Sequence, residues 1–134
     1  MNKDNLFVWE GEVRDSELDL QGIVNNANYF VYMEHARHKH LKSLGVDFVK
    51  MHASGFDLVL VQTEMSFKAP LKSGDDFIVT SKLEAMGRIK FVFLQEIIRR
   101  SDRKIMIEAK NIGVCISISS GRPVVPEELK NILS

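Results

Sequence analysis

The feature that most constrains this chain is a change of hydrophobic period. Tyr29, Met33, Ala36, His40 and Leu44 recur at steps of three and four, the spacing of one helical face. From residue 57 onward the step is two. Over 57–67, Val59, Val61, Thr63, Met65 and Phe67 fall on one face, and Leu58, Leu60, Gln62, Glu64 and Ser66 on the other, because side chains alternate along a strand. Runs rich in strand formers follow at 76–86, 89–99 and 104–118. A further run, 6–14, precedes the helix and is weakened by Gly11. One long helix and five strands bury their apolar faces together as two layers, helix on sheet.

Turn chemistry marks the boundaries. Asn26 or Asn28 is placed to cap the long helix and Gly45 to end it. The span is about 16 residues, or roughly 24 Å at ~1.5 Å per residue. Glu34 lies early and Arg37, Lys39 and Lys42 later, which suits the helix dipole. Residues 46–54 leave room for a shorter helical turn before Gly55. Pro70 and Ser73-Gly74-Asp75 break the chain, and Gly87-Arg88 and Ser101-Asp102-Arg103 make turns. Gly113 is a candidate bend in the last strand. Pro126-Glu127-Glu128-Leu129 reads as a helix start with proline in its first turn.

Short connections predict an antiparallel meander over the last four strands, with the helix on the concave face. Strands 89–99 and 104–118 are apolar nearly throughout, so both sheet faces are expected to be covered. One helix covers one face. The other face, or an open edge, is expected to meet another subunit.

The 134 residues fit a single domain, 1–134. A formal net charge of zero argues against a nucleic-acid binder with a broad basic face. The one cysteine, Cys115, forms no internal disulfide, which fits a reducing compartment. It reads as a buried apolar residue. Residues 1–9 lack the pattern of a signal peptide, and no apolar run approaches the ~20 residues that span a bilayer. A cytoplasmic, soluble protein without membrane contact is expected.

Chemistry points to one segment, Asp19-Leu20-Gln21-Gly22-Ile23-Val24-Asn25-Asn26-Ala27-Asn28-Tyr29. It sets a carboxylate in a loop that runs into the N-terminus of the long helix, where main-chain N–H groups lack intrahelical partners. Attack on a carbonyl needs a group that attacks or activates water, and donors for the oxygen that becomes negative.

The stretch from Arg14 to Tyr29 resembles the signature of the hotdog-fold acyl-CoA thioesterases, in the branch of 4-hydroxybenzoyl-CoA thioesterase. That pattern has an acidic pair, two residues, a glycine, a hydrophobic pair and a helix start ending in asparagine-tyrosine. Tyr32-Met33-Glu34-His35-Ala36-Arg37 resembles the branch's helix, and Glu64-Met65-Ser66-Phe67-Lys68-Ala69-Pro70-Leu71 with Gly74-Asp75 its later strand and turn. The resemblance covers nearly the whole chain. It implies an α+β hotdog fold, a five-stranded antiparallel sheet wrapped around one long central helix.

The resemblance also implies a reaction, hydrolysis of an acyl-CoA or acyl carrier protein thioester to a free acid and a thiol. Asp19 would be nucleophile or general base, and the main-chain N–H of Asn26 the oxyanion donor. Gly22, Val24, Asn25 and Tyr29 would border the substrate. No organic cofactor or metal is implied, since coenzyme A is part of the substrate. The family assembles as a homodimer or homotetramer, with the site at a seam between chains. Two departures stand out. Leu18 replaces a threonine common between the two acidic residues, and Asn26 stands where some relatives place a histidine. The missing histidine counts against a hotdog dehydratase or hydratase, and a non-catalytic acyl-thioester binding protein is a further alternative.

Other residues carry simpler readings. Glu64 is expected to line the pocket or to form an ion pair at an edge. Gly87, Arg88 and Lys90 are the best local candidates for the phosphates of coenzyme A, through free N–H groups and cationic side chains, with Lys68 and Arg122 weaker ones. Glu34 and Arg37 are expected to pair on the helix surface. Phe91 and Phe93 read as core. His35 and His38 share a helical face, but Glu34-His35-x-x-His38 is not the zinc-protease order and no metal site is expected.

Overall fold

The computed structural model describes residues 6–133. In chain order these form β1 (Leu6–Glu12), α1 (Asn26–Ser43), α2 (Phe48–Ala53), β2 (Phe56–Phe67), β3 (Asp76–Met86), β4 (Lys90–Arg99), β5 (Ile105–Ser117), β6 (Pro123–Val124) and α3 (Glu127–Leu133). A 3-10 turn, Asp15–Glu17, lies between β1 and α1.

Helix α1 begins three residues before the periodic run. Its cap is Asn25, not Asn26 or Asn28, because the Asn25 backbone is extended and its Oδ1 accepts the N–H of Ala27 at 3.0 Å. The helix ends where Gly45 takes a left-handed φ of 89°. There the N–H of Gly45 donates to Lys42 O and that of Val46 to Leu41 O, which satisfies the last carbonyls. Tyr29, Tyr32, Met33, Ala36, Arg37, His40 and Leu41 are buried. Leu44, expected on that face, is the exposed C-cap residue, and Leu41 takes its place.

The sheet is antiparallel throughout, in the order β1-β3-β4-β5-β2. The expected meander holds for β3, β4 and β5. It fails for β2, which lies on the far edge against β5 instead of beside β3. The connection 68–75 is not a hairpin. It crosses beneath the start of α1, with Leu71 fully buried there and its N–H donated to the Tyr29 hydroxyl at 3.0 Å. The sheet also gains a sixth strand beyond the five expected. Strand β6 pairs Val124 with Cys115 and Pro123 with Ile116, past the point where the β4 pairing ends at Val114.

The simple alternation expected for 57–67 is interrupted by a bulge. Register shifts between Leu60 and Gln62, so Leu58 pairs with Cys115 and Met65 with Ala109. An extra residue reverses which face later side chains occupy. Phe56 and Leu58 therefore pack into the helix-side core with Leu41, Phe93 and Cys115, while beyond the bulge Met65 does the same with Met33 and Ala109. Leu60 and Val61, at the bulge, are exposed on the edge of the sheet.

Gly113, opposite Leu60, is fixed by space and not by a bend. A Cβ there would lie 2.8 Å from the Phe91 ring and 2.9 Å from the carbonyl oxygen of Val59. One of these contacts is with backbone, which cannot rotate away. Gly113→Ala is expected to lower stability by about 1–3 kcal/mol, read as a fall in the urea midpoint with little change in slope.

Candidate active site

The loop between β1 and α1 is a short antiparallel excursion held from both sides. Leu18 and Val24 form a bridge, and the N–H of Asp19 donates to Ile23 O at 2.8 Å. The N–H of Gly22 donates back to Asp19 O at 3.1 Å. Gly22 has φ 78° and open space around it, so glycine is needed for the backbone conformation and not for room. A second bridge, Ile23 with Lys72, and a bond from Val24 N–H to Leu71 O at 2.9 Å tie the loop to the connection 68–75.

Asp19 stands at the base of this turn, half-buried. Its Oδ1 accepts the N–H of Gln21 at 2.8 Å, a local side-chain turn that fixes the carboxylate. Its other oxygen has no partner among the described residues. Leu20, next to it, is fully exposed.

Three residues beyond Ile23 the helix starts. The N–H of Ala27 goes to Asn25 Oδ1 and that of Asn28 to Asn25 O at 2.8 Å. The N–H of Asn26 meets no acceptor among the described residues. The loop thus presents a carboxylate oxygen and a main-chain donor at the positive end of an 18-residue helix. That pairing can hold a polarised carbonyl while a carboxylate attacks it or activates water.

Not every expected neighbour is at this loop. Val24 and Tyr29 are 1% exposed and support it from below. Glu64 is exposed on the sheet face away from α1, in an outer cleft of about 450 Å³ with Lys82, Glu96 and Lys110, and takes a bond from Gln62. Gly87, Arg88 and Lys90 are exposed at the β3–β4 turn, with no ion pair to either cation among the described residues. That turn is at the far end of β3 from Asp75 and Lys72. Ten residues of strand, at ~3.3 Å each, put it roughly 30 Å from the Asp19 loop within one chain.

Two buried polar clusters were not foreseen. Glu17, 7% exposed, accepts from the Arg14 N–H at 2.8 Å, the Arg14 guanidinium at 3.1 Å and the Tyr32 hydroxyl at 2.7 Å. Burial raises its pKa, but these donors outweigh burial and hold it below the usual carboxylate range. Tyr32 is pushed the other way by burial and by the carboxylate beside it. The second cluster corrects the expected Glu34–Arg37 surface pair. Arg37 is 9% exposed and donates instead to Gln95 Oε1 at 3.1 Å. Gln95 also accepts from Asn111 at 2.8 Å and donates to Met33 O, and Thr63 bonds Asn111. Burial lowers the Arg37 pKa, and nearby Glu34 opposes this. Gln95 and Asn111, polar residues in apolar strands, were the signal available.

His35 packs edge-on to Trp9 at 4.7 Å, and His38 lies against Phe48 at 4.4 Å. No cluster of metal-binding side chains occurs among the described residues. No helix there is long and apolar enough to cross a membrane.

Residues 13–133 match the family model described as the thioesterase-like superfamily. The chain belongs to that superfamily. Within it, the chain is 35% identical over 123 residues to an acyl-acyl carrier protein thioesterase, ATL3, of Arabidopsis thaliana chloroplasts. The match covers 91% of this chain but only 64% of that relative. A solved hypothetical protein of Aquifex aeolicus superposes with a TM-score of 0.86 at 31% identity, over 96% of this chain and 99% of the other. A 1,4-dihydroxy-2-naphthoyl-CoA thioesterase from Synechocystis shares the fold, with a TM-score of 0.88 at 22% identity over 94% and 93% of the two chains. The sheet-wrapped helix is therefore the hotdog arrangement of this superfamily.

Proposed function

We propose that this protein hydrolyses an acyl thioester, of coenzyme A or of an acyl carrier protein, to a free acid and a thiol. The observation that carries the reading is that one loop, between β1 and α1, supplies both a carboxylate oxygen and a main-chain donor at the helix start. Among the described residues, the Asp19 carboxylate has one oxygen without a partner and the Asn26 N–H at the helix start has no acceptor. Membership of the thioesterase-like superfamily supports it.

In the proposed reaction the thioester carbonyl oxygen accepts from the Asn26 N–H. Asp19 attacks the carbonyl carbon or takes a proton from the water that does. Negative charge gathers on the carbonyl oxygen, where the N–H and the helix dipole stabilise it. The C–S bond then breaks, and the thiolate leaves and takes up a proton. If water attacked, this step yields the acid directly; if Asp19 attacked, the acyl-aspartyl anhydride that remains is cleaved by water, which releases the acid and restores the carboxylate. The chemistry draws on the chain's own groups and on no cofactor.

The working unit in this reading is a homodimer, itself able to pair into a homotetramer. Strand β2 is a 12-residue edge with exposed Leu60, Val61 and Phe67, and an open edge of that length invites pairing with a second chain. A partner is also what would bring a Gly87-Arg88-Lys90 turn towards Asp19, given the separation within one chain. Light scattering on the eluted protein is expected to give the mass of two or four chains. Val61→Asp is expected to shift it to monomer and to lower activity with it. A wild-type monomer that is fully active would contradict the seam.

Release of free thiol from a panel of acyl-CoA and acyl carrier protein thioesters tests the activity. The expected result is cleavage of at least one member. Binding of a nonhydrolysable acyl-CoA analogue without cleavage of any thioester would mark a binding protein instead. Water addition to crotonyl-CoA would mark a hydratase.

A further inference from the structure

Glu17 is buried on a loop whose neighbours Asp15 and Ser16 are exposed. A carboxylate is seldom buried unless its oxygens are paired. Both are paired here, to Arg14 and Tyr32. Tyr32 is 3% exposed and its ring lies 4.6 Å from that of Phe77 in β3. The Glu17 side chain is thereby fastened to α1 and through it to the sheet.

The main-chain carbonyl of Glu17 makes a separate set of bonds. It accepts the N–H of Asn25 at 2.9 Å and the side-chain amide of Asn28 at 3.0 Å. Asn25 and Asn28 flank Asn26. Asn25 in turn takes up the N–H groups of Ala27 and Asn28. Two residues after Glu17 comes Asp19, held against Ile23. Glu17 therefore holds the helix-start half of the loop site through its carbonyl, two residues from Asp19, while its own carboxylate is occupied by Arg14 and Tyr32.

We propose that Glu17 is a positioning residue. Its anchored side chain fixes a carbonyl that holds Asn25 and Asn28, and so keeps the Asn26 N–H in place relative to the Asp19 carboxylate. The proposal rests on the thioesterase reading above. Donors aimed at developing charge act through preorganisation, so loosening them lowers kcat more than it raises KM.

The test is steady-state hydrolysis of a cleaved thioester by Glu17→Ala, Glu17→Gln and Asn28→Leu, with rates expressed per folded molecule from thermal melts. Glu17→Ala removes the anchor, and its kcat is expected to fall by roughly 10- to 100-fold, with KM within about threefold. Glu17→Gln keeps an oxygen for the Arg14 N–H and the Tyr32 hydroxyl, and is expected to stay within about threefold of wild type. Asn28→Leu removes one bond to the carbonyl and is expected to lower kcat at unchanged KM. The Glu17→Ala/Asn28→Leu pair is expected to lose less than the product of the single losses, because both act through one carbonyl. If Glu17→Ala does not fold, Asn28→Leu and Tyr32→Phe carry the same kcat test. Wild-type kcat per folded molecule in Asn28→Leu and in the foldable anchor variant, or losses that multiply, would overturn the positioning role. Asp19→Asn separates the two levels. If it is inactive while the Glu17 and Asn28 variants run at wild-type rate, only the positioning role fails. If it is fully active, the proposed site itself fails.

Discussion

Between pH 6.5 and about 4 the folded protein is expected to lose roughly 3–4 kcal/mol of stability through one residue, His40. The side chain is 2% exposed on the inner face of α1. Its Nδ1 lies 3.0 Å from Ser81 Oγ, and its ring stacks on Phe7 at 5.2 Å and meets the edge of Phe93 at 5.8 Å. Burial among these groups disfavours the charged imidazolium and lowers the pKa from 6.5 to about 4. The unfolded chain keeps the ordinary value. Over that interval the unfolded state therefore binds the proton and the folded state does not, so stability falls with falling pH. Above 6.5 both forms are neutral and below 4 both are charged, so the contribution is flat outside the window. A shift of this size, at ~1.4 kcal/mol per pH unit, gives the figure quoted. Urea unfolding at a series of pH values measures it. His40→Phe is expected to be less stable at neutral pH, since Ser81 loses its partner, but to lose this part of the slope. An unchanged slope in that variant would assign the acid sensitivity elsewhere.

His40 also shows what the sequence made legible and what it did not. Its place on the buried face of α1 follows from the period of three and four. Its partners do not, because Phe7 and Ser81 come from β1 and β3, brought together by the sheet order. The same division runs through the fold. Period and turn residues located α1 and the strands to within a few residues. They could not place β2 beside β5, because that depends on where the 68–75 connection crosses. It is anchored by bonds to residues distant in sequence, among them the Leu71 N–H on the Tyr29 hydroxyl and the Val24 N–H on Leu71 O. The bulge at Leu60 and Gln62 was equally hidden, since an extra residue leaves the apolar count of a strand unchanged.

The site divides in a similar way. The Asp19 loop was legible because a carboxylate, a glycine and a helix start lie within eight residues of one another. Glu17 and Arg37 were not, since charged residues are exposed by default and their burial depends on acceptors and donors distant in sequence. Arg37 illustrates the cost of reading spacing alone. Its i, i+3 relation to Glu34 predicts a surface pair, yet the packed interior offers it the Gln95 amide oxygen instead.

The second large effect concerns Asp19 itself. Asp19→Asn keeps an oxygen that can accept the Gln21 N–H, so the turn is retained while the negative charge and basicity are removed. Asp19→Ala removes the turn bond as well. If the carboxylate attacks the thioester or activates water, both substitutions are expected to lower kcat by at least ~10²-fold. Thermal melts close to wild type for Asp19→Asn would show that the loss is chemical, because the residue is half-exposed and its carboxylate makes one local bond. The most direct measurement is therefore kcat for thiol release by wild type and Asp19→Asn on the best-cleaved thioester. A fall of at least ~10²-fold in a folded variant is the predicted result, and a rate within about tenfold of wild type would contradict the account.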